Sequence, residues 1–197
     1  MQFSKIGFTP KLIICDLDGT LVDSAGDIQH ALNAALMEMG LATVTEHEVR
    51  GWVGRGASRL VYCVLEAGHH RKDLHDDLLA TFMRHYQAAV CDTSQLYDGV
   101  AEFIAACQQA HIPLACVTNK PYAPAKDLLA ALNILQPFQL LIGGDTLPHK
   151  KPHPEPLLHC LRYFGVAAKD TLVLGDSRND VEAALAAHIP CVVVSYG

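Results

Sequence analysis

A four-residue apolar run that stops at two carboxylates constrains this chain more than any other feature. It lies in Lys11-Leu-Ile-Ile-Cys-Asp16-Leu-Asp18-Gly-Thr20-Leu-Val-Asp23-Ser24. Leu12 to Cys15 is too short for a helix, and the Asp18-Gly19 turn signal bounds it, so it reads as a buried strand of a parallel sheet. Ligands of open α/β sheets collect just past the carboxyl ends of strands, which is where the two aspartates stand. If the strand geometry persists to Asp18, residues two apart project to one side and Asp16 and Asp18 converge. Carboxylates that close either bind a metal or share a proton. The alternative is an ordinary surface turn, in which Asp-Gly is common.

Composition limits what such a strand can serve. At 197 residues the chain suits one domain plus an insertion. Its 21 acidic and 15 basic residues give a net charge of −6, which argues against a nucleic-acid partner needing a basic face. No uninterrupted apolar run reaches the ~18 residues of a membrane span. Met1 to Pro10 has one lysine and no apolar centre, so it does not read as a signal peptide. The seven cysteines (15, 63, 91, 107, 116, 160 and 191) are scattered, odd in number and without a CxxC pair. They read as small buried hydrophobes in a reducing cytoplasm rather than as disulfides or a zinc site. The eleven histidines form no HxxxH or HExxH pattern.

After Thr20 the periodicity turns helical. Ser24-Ala-Gly-Asp27 resembles a capping box with Asp in place of Glu, and Ile28, Ala31, Leu32, Ala35, Leu36 and Met39 follow at helical spacing up to Gly40. Thr45-Glu-His-Glu48 starts a second, short helix, followed by Gly51-Trp-Val-Gly54-Arg55-Gly56. Helices are expected over 57–67 and 73–89. Residues 24–92 are thus all helix and loop, an insertion between core segments 1–23 and 93–197. From Gly99 strands and helices alternate: helix 100–110, strand 111–117, helix 122–132, strand 140–143, helix 154–164, strand 171–174, helix 180–188 and strand 191–195. Five short strands alternating with helices predict an α/β fold, a Rossmann-like three-layer core around a parallel sheet, with an inserted helical cap.

Polar groups recur at the strand ends: Asp16 and Asp18 after the first, Thr118 and Asn119 after the second, Asp176 and Asp180 after the fourth, and Lys151 in the loop after the third. Because the carboxyl ends of parallel strands share one sheet edge, these groups can meet. Individually, Asp176 or Asp180 also reads as a helix N-cap or first-turn acid.

Asp16-Leu-Asp18-Gly-Thr20, Thr118-Asn119, Lys151 in Lys-Lys-Pro-His-Pro, and Gly175-Asp176-Ser-Arg-Asn-Asp180 stand in the order of four motifs, and by them the chain resembles the haloacid dehalogenase superfamily of phosphotransferases over essentially its full length. Residues 24–92 match that superfamily's helical cap. Gly-Trp-Val-Gly-Arg-Gly-Ala and Lys-Lys-Pro-His-Pro-Glu-Pro-Leu-Leu further resemble a bacterial branch acting on 2-phosphoglycolate. The resemblance implies an Mg2+-dependent phosphomonoesterase for a small phosphorylated metabolite. Asp16 would be the nucleophile, forming an aspartyl-phosphate, and Asp18 the general acid and base. Thr118 and the Asn119 backbone would hold phosphate oxygens, and Lys151 would supply positive charge. Asp16, the Asp18 carbonyl and Asp176 would be the metal ligands, with Asp180 behind them. Lys150 competes with Lys151 on sequence alone; the resemblance places the lysine next to proline in the site.

Lys120 and Lys150 read as solvated charges, and Thr20 as locally bonded. In the cap, Arg55 and Arg59 are candidates to meet a small carboxylate, against the alternative that both are solvated. Trp52 reads as cap packing. Alternatives with the same core are a phosphomutase or a phosphatase for a sugar phosphate or pyrophosphate. A phosphorylation-dependent signalling module would lack Asp18 and the insertion. The expected assembly is a monomer or homodimer. The superfamily also leads one to expect a further loop and helix after Gly197.

Overall fold

The computed structural model describes residues 7–197; most of the stretch read above as lacking a signal peptide precedes them. In chain order the elements are β1 (Leu12–Cys15), β2 (Val22–Asp23), α1 (Ala25–Glu38), α2 (Glu46–Trp52), α3 (Ala57–Ala67), α4 (His75–Ala88), β3 (Gln95–Leu96), α5 (Val100–Gln109), β4 (Leu114–Val117), α6 (Tyr122–Ala131), β5 (Phe138–Ile142), α7 (Glu155–Phe164), β6 (Thr171–Gly175), α8 (Arg178–Ala186) and β7 (Cys191–Val193). The main sheet has the order β5-β4-β1-β6-β7, and every pairing in it is parallel.

The unbroken apolar run of β1 follows from its central place, covered on both faces. Ile13, Cys15 and Leu17 enter one apolar layer with Val100, Ile104 and Leu128. Leu12 and Ile14 enter the opposite layer with Leu157, Cys160 and Ala183. Burying each such side chain is worth about 1.5–3 kcal/mol. All seven cysteines are free, and four are buried, in keeping with their reading as small hydrophobes.

Local chemistry moves some boundaries. β4 begins at Leu114 rather than at residue 111, because His111 and Ile112 close helix α5, the Ile112 N–H donating to the Cys107 carbonyl at 2.9 Å. Helix α8 begins at Arg178, earlier than expected, because Ser177 and Asp180 form a reciprocal capping box. The expected box at Thr45 and Glu48 is present on α2. Gly51 lies inside α2 and is not part of the loop that follows.

The expected box at Ser24 and Asp27 does not form. The Ser24 hydroxyl donates instead to Asp18 at 2.5 Å. Buried Asp27 turns to the returning chain. Its carboxylate accepts from the backbone N–H groups of Asp92 (3.1 Å), Thr93 (2.8 Å) and Ser94 (2.8 Å), and from the Thr93 (2.7 Å) and Ser94 (2.6 Å) hydroxyls. Both passages between the sheet and the helical insertion are therefore tied to one side chain. The short antiparallel pair β2–β3 continues this junction, and Arg50 of α2 adds a 2.9 Å ion pair to Asp23.

Helices α1 to α4 close on an apolar cluster of their own. Leu32 and Leu36, Val61 and Leu65, and Leu78 and Phe82 are its buried members on α1, α3 and α4. Trp52 packs against its edge. Among the described residues, no helix is long and apolar enough to cross a membrane.

Replacing Asp27 with alanine strands several donors in a closed junction and is expected to cost roughly 2–4 kcal/mol. That corresponds to a fall in melting temperature of about 5–10 °C for a chain this size, measurable by calorimetry. Burial alone would push the Asp27 pKa up, but the bonds from Ser94 and Thr93 outweigh it and hold the group below the usual carboxylate range. A depressed folded-state pKa gives stability that is present above about pH 4 and lost as pH falls through the lowered value. The gap between native and Asp27→Ala proteins should therefore narrow in acid.

Candidate active site

The carboxyl ends of β1, β4 and β6 meet at the middle of one sheet edge, and the side chains there alternate as the pleat requires. Leu17 points into the core, while Asp16 and Asp18 line a pocket between sheet and helical insertion. Beyond Asp18 the chain folds back tightly: the Leu17 carbonyl accepts from Leu21 at 2.9 Å and Val22 at 3.0 Å. Gly19 has φ +83°, and a Cβ there would lie 2.5 Å from an Asp176 carboxylate oxygen, so only glycine lets these two loops touch. The Thr20 hydroxyl donates to Asp176 at 2.8 Å, across the same contact.

Lys151 stands at the centre, almost wholly buried. Its ammonium lies 2.8 Å from Asp16 and 2.6 Å from Asp180, and donates to the Val117 carbonyl at 2.6 Å. All three of its hydrogens are thereby engaged. Burial would lower its pKa, but Asp16 and Asp180 more than reverse this and keep it charged. The two carboxylates fare differently. Burial pushes Asp16 up to about 8 despite Lys151, and the nearby Asp180 charge adds to the rise. Asp180 is also desolvated, yet Lys151 and the bonds from Ser177 hold it below its ordinary value. Burial raises Asp176.

Asp16, Asp176 and Asp180 each offer an oxygen within 4.8 Å of the others, in one group able to face a single ion. The donor set suits a hard divalent cation: three carboxylates with a single lysine between two of them. The oxygens of Asp180 are already used, one by Lys151 and the other by Ser177, which fits it to an outer, orienting position.

On β4 the Thr118 hydroxyl accepts from the Lys120 N–H at 3.1 Å, leaving its own O–H to donate into the pocket. Asn119 does more than lend its backbone: its side-chain amide donates to the carbonyls of Gly54 and Lys151, each at 2.9 Å. It thus stitches the insertion loop to the Lys151 loop. Asn179 donates to the same Gly54 carbonyl at 3.1 Å.

Lys120 departs from the sequence expectation, and Arg55 and Arg59 lie outside the pocket. Lys120 is not a solvated charge; it is 6% exposed, and its ammonium contacts both oxygens of Asp18 at 2.7 and 3.0 Å. The signal was available, since Lys120 stands two residues after Thr118 just as Asp18 stands two after Asp16. Lys150 is exposed as expected, but its ammonium donates to the Arg55 carbonyl at 3.2 Å. Arg55 and Arg59 are not brought into the pocket of Asp16 and Asp18. They line a neighbouring open groove, where Arg59 stacks over Tyr62. The pocket's roof is instead apolar, from Ile28, Val53, Leu60, Phe82 and Met83, with Tyr86 beside them.

The four sequence motifs thus share one edge. A family model described as haloacid dehalogenase-like hydrolase matches residues 13–194, which includes every motif residue. A Colwellia psychrerythraea protein named phosphoglycolate phosphatase is 41% identical over 192 residues, covering 95% of this chain and 85% of its own. A protein of that name from Nitrosococcus oceani is 40% identical over 191 residues, with the same coverage. The crystal structure of a predicted phosphoglycolate phosphatase from Haemophilus somnus superposes with a TM-score of 0.92 at 34% identity, over 97% of this chain and 88% of that one. With its sheet order, its inserted helices and its acidic edge, this chain belongs to the haloacid dehalogenase-like hydrolase family.

Proposed function

We propose that the protein is a magnesium-dependent phosphomonoesterase whose substrate is 2-phosphoglycolate, with residues 24–92 acting as a cap over a core of 1–23 and 93–197. The observation that carries this reading is the meeting of Asp16, Asp18, Thr118 and Lys151 at one closed sheet edge. Relatives at about 40% identity that bear the phosphoglycolate phosphatase name support the choice of substrate.

Asp16 attacks phosphorus and forms an aspartyl-phosphate as the ester P–O bond breaks. Asp18 gives its proton to the departing glycolate oxygen. It then takes a proton from the water that attacks the acyl phosphate, so phosphate leaves and the Asp16 carboxylate is restored. Thr118 and the Asn119 backbone hold phosphate oxygens. Lys151 orients Asp16 and spreads the developing charge. Asp16, Asp176 and the Asp18 carbonyl would hold magnesium, with Asp180 braced behind them; the ion supplies neutralisation and alignment of phosphate oxygens. The cap keeps bulk water from competing with Asp16 while the ester is attacked.

Phosphate release should be followed for 2-phosphoglycolate, glucose 1-phosphate, pyrophosphate and an aryl phosphate, with and without magnesium. We expect magnesium-dependent turnover that favours 2-phosphoglycolate and falls on the order of 10⁴-fold or more in Asp16→Asn. Turnover in that variant close to the native rate would remove Asp16 as nucleophile; preference for another substrate would keep the nucleophile and discard the assignment.

Cap closure can be tested separately. Gly56, at φ 86° and ψ 162°, occupies a region essentially reserved for glycine, and a Cβ there would lie 2.9 Å from the Asn119 carbonyl oxygen. Gly56→Ala should lower kcat/KM by roughly tenfold or more through loss of the closed state, a strain of about 1–3 kcal/mol. Its far-ultraviolet circular dichroism should match that of the native chain. An unchanged kcat/KM would show that this contact does not govern closure.

A further inference from the structure

The pocket holds a second buried cation, Lys120, paired with Asp18 rather than with Asp16. Lys151 is fully engaged by Asp16, Asp180 and Val117, and it serves the phosphate end. Lys120 lies on the other side of Asp18, with its backbone held at the Thr118 hydroxyl and its ammonium 4.8 Å from the centroid of the Tyr86 ring. Tyr86 reaches it from cap helix α4. Its side chain is 2% exposed and lines the pocket, and its hydroxyl, which no well-aligned hydrogen bond satisfies, has the Lys120 ammonium as its polar neighbour. A buried hydroxyl so poorly satisfied is open to a ligand group in the pocket. Burial also pushes its pKa up to about 12, so the hydroxyl keeps its proton and can donate.

We propose that Lys120 and Tyr86 form a carboxylate-binding subsite, which takes the acid group of a small phosphorylated carboxylic acid whose phosphate lies at Asp16. The inference rests on the phosphatase reading above and names the residues that choose the substrate. The order of groups along the pocket carries it. Asp16 and Thr118 stand at the phosphate position, Asp18 at the bridging oxygen it must protonate, and Lys120 with Tyr86 beyond. A phosphorylated 2-hydroxy acid presents phosphorus, bridging oxygen, one carbon and a carboxylate in the same order. The surrounding apolar roof offers nothing to the hydroxyls of a sugar. With Arg55 and Arg59 outside the pocket, Lys120 is the cation among its lining residues, and a bound carboxylate would share its ammonium with Asp18.

The test compares 2-phosphoglycolate with its uncharged amide, 2-phosphoglycolamide, and reads the ratio of their kcat/KM values. General damage to catalysis cancels in that ratio, whereas loss of a carboxylate contact does not. The native enzyme should favour the acid by about tenfold or more, the worth of a charge-assisted bond. Lys120→Met should bring the ratio close to one, and the conservative Tyr86→Phe should lower it by roughly threefold. If Lys120→Met does not fold, judged by its melting curve, the native ratio and Tyr86→Phe decide. A native enzyme that treats acid and amide alike, or variants that lose activity with the ratio unchanged, would overturn the subsite while leaving the phosphatase reading intact. Hydrolysis of an aryl phosphate without turnover of either compound would overturn the phosphoglycolate reading, and the subsite with it.

Discussion

The bond pattern of Lys151 joins the fold to its chemistry. One ammonium accepts the charge of Asp16 after β1 and of Asp180 on α8, and caps the Val117 carbonyl at the end of β4. Three adjacent strand ends are thereby held in register by one ammonium that also balances the Asp16 carboxylate. Burying such charges is costly, and removing one partner leaves the rest uncompensated, which is far worse than never having placed them. Even so, one lysine cannot balance Asp16, Asp176 and Asp180. Burial, with the neighbouring carboxylate charge adding to it, raises the pKa of both Asp16 and Asp176, and a divalent ion among the three carboxylates would offset that cost.

Around this centre the insertion is attached in two ways. At its base the Asp27 carboxylate gathers the returning chain, while Ser24 reaches back to Asp18, so the entry to the insertion touches a carboxylate of the pocket directly. At its far side the loop Gly54-Arg55-Gly56 rests on Asn119, Asn179 and Lys150. The pocket lies between base and far side, so its walls are set by how the two attachments hold together.

Much of this arrangement was legible in the sequence. Period-two and period-3.6 patterns located all five strands and the inserted helices, because burial on both sheet faces and on one helix face leaves few other patterns possible. The recurrence of polar residues at strand ends brought out Asp16, Asp18, Thr118, Lys151, Asp176 and Asp180. Side chains that act across long sequence separations were less legible. Ser24 and Asp27 have the residue types and spacing of a capping box, and nothing local reveals that Asp18 and Ser94 would claim them. Lys120 looks like any loop lysine until Asp18 is placed 102 positions away. Tyr86 looks like a core aromatic on its helix face, and only the tertiary structure shows its hydroxyl facing the pocket rather than solvent. Arg55 was singled out for its charge, yet it is its carbonyl that meets the core.

That last detail separates two roles within the loop. The far-side contacts are made to the carbonyls of Gly54 and Arg55, so they do not draw on the Arg55 side chain. The positive φ values of Gly54 and Gly56 confine the positions on either side of it to glycine. Backbone conformation thus seats the loop on the sheet, and the side chain between the two glycines faces the neighbouring groove with no part in that seating.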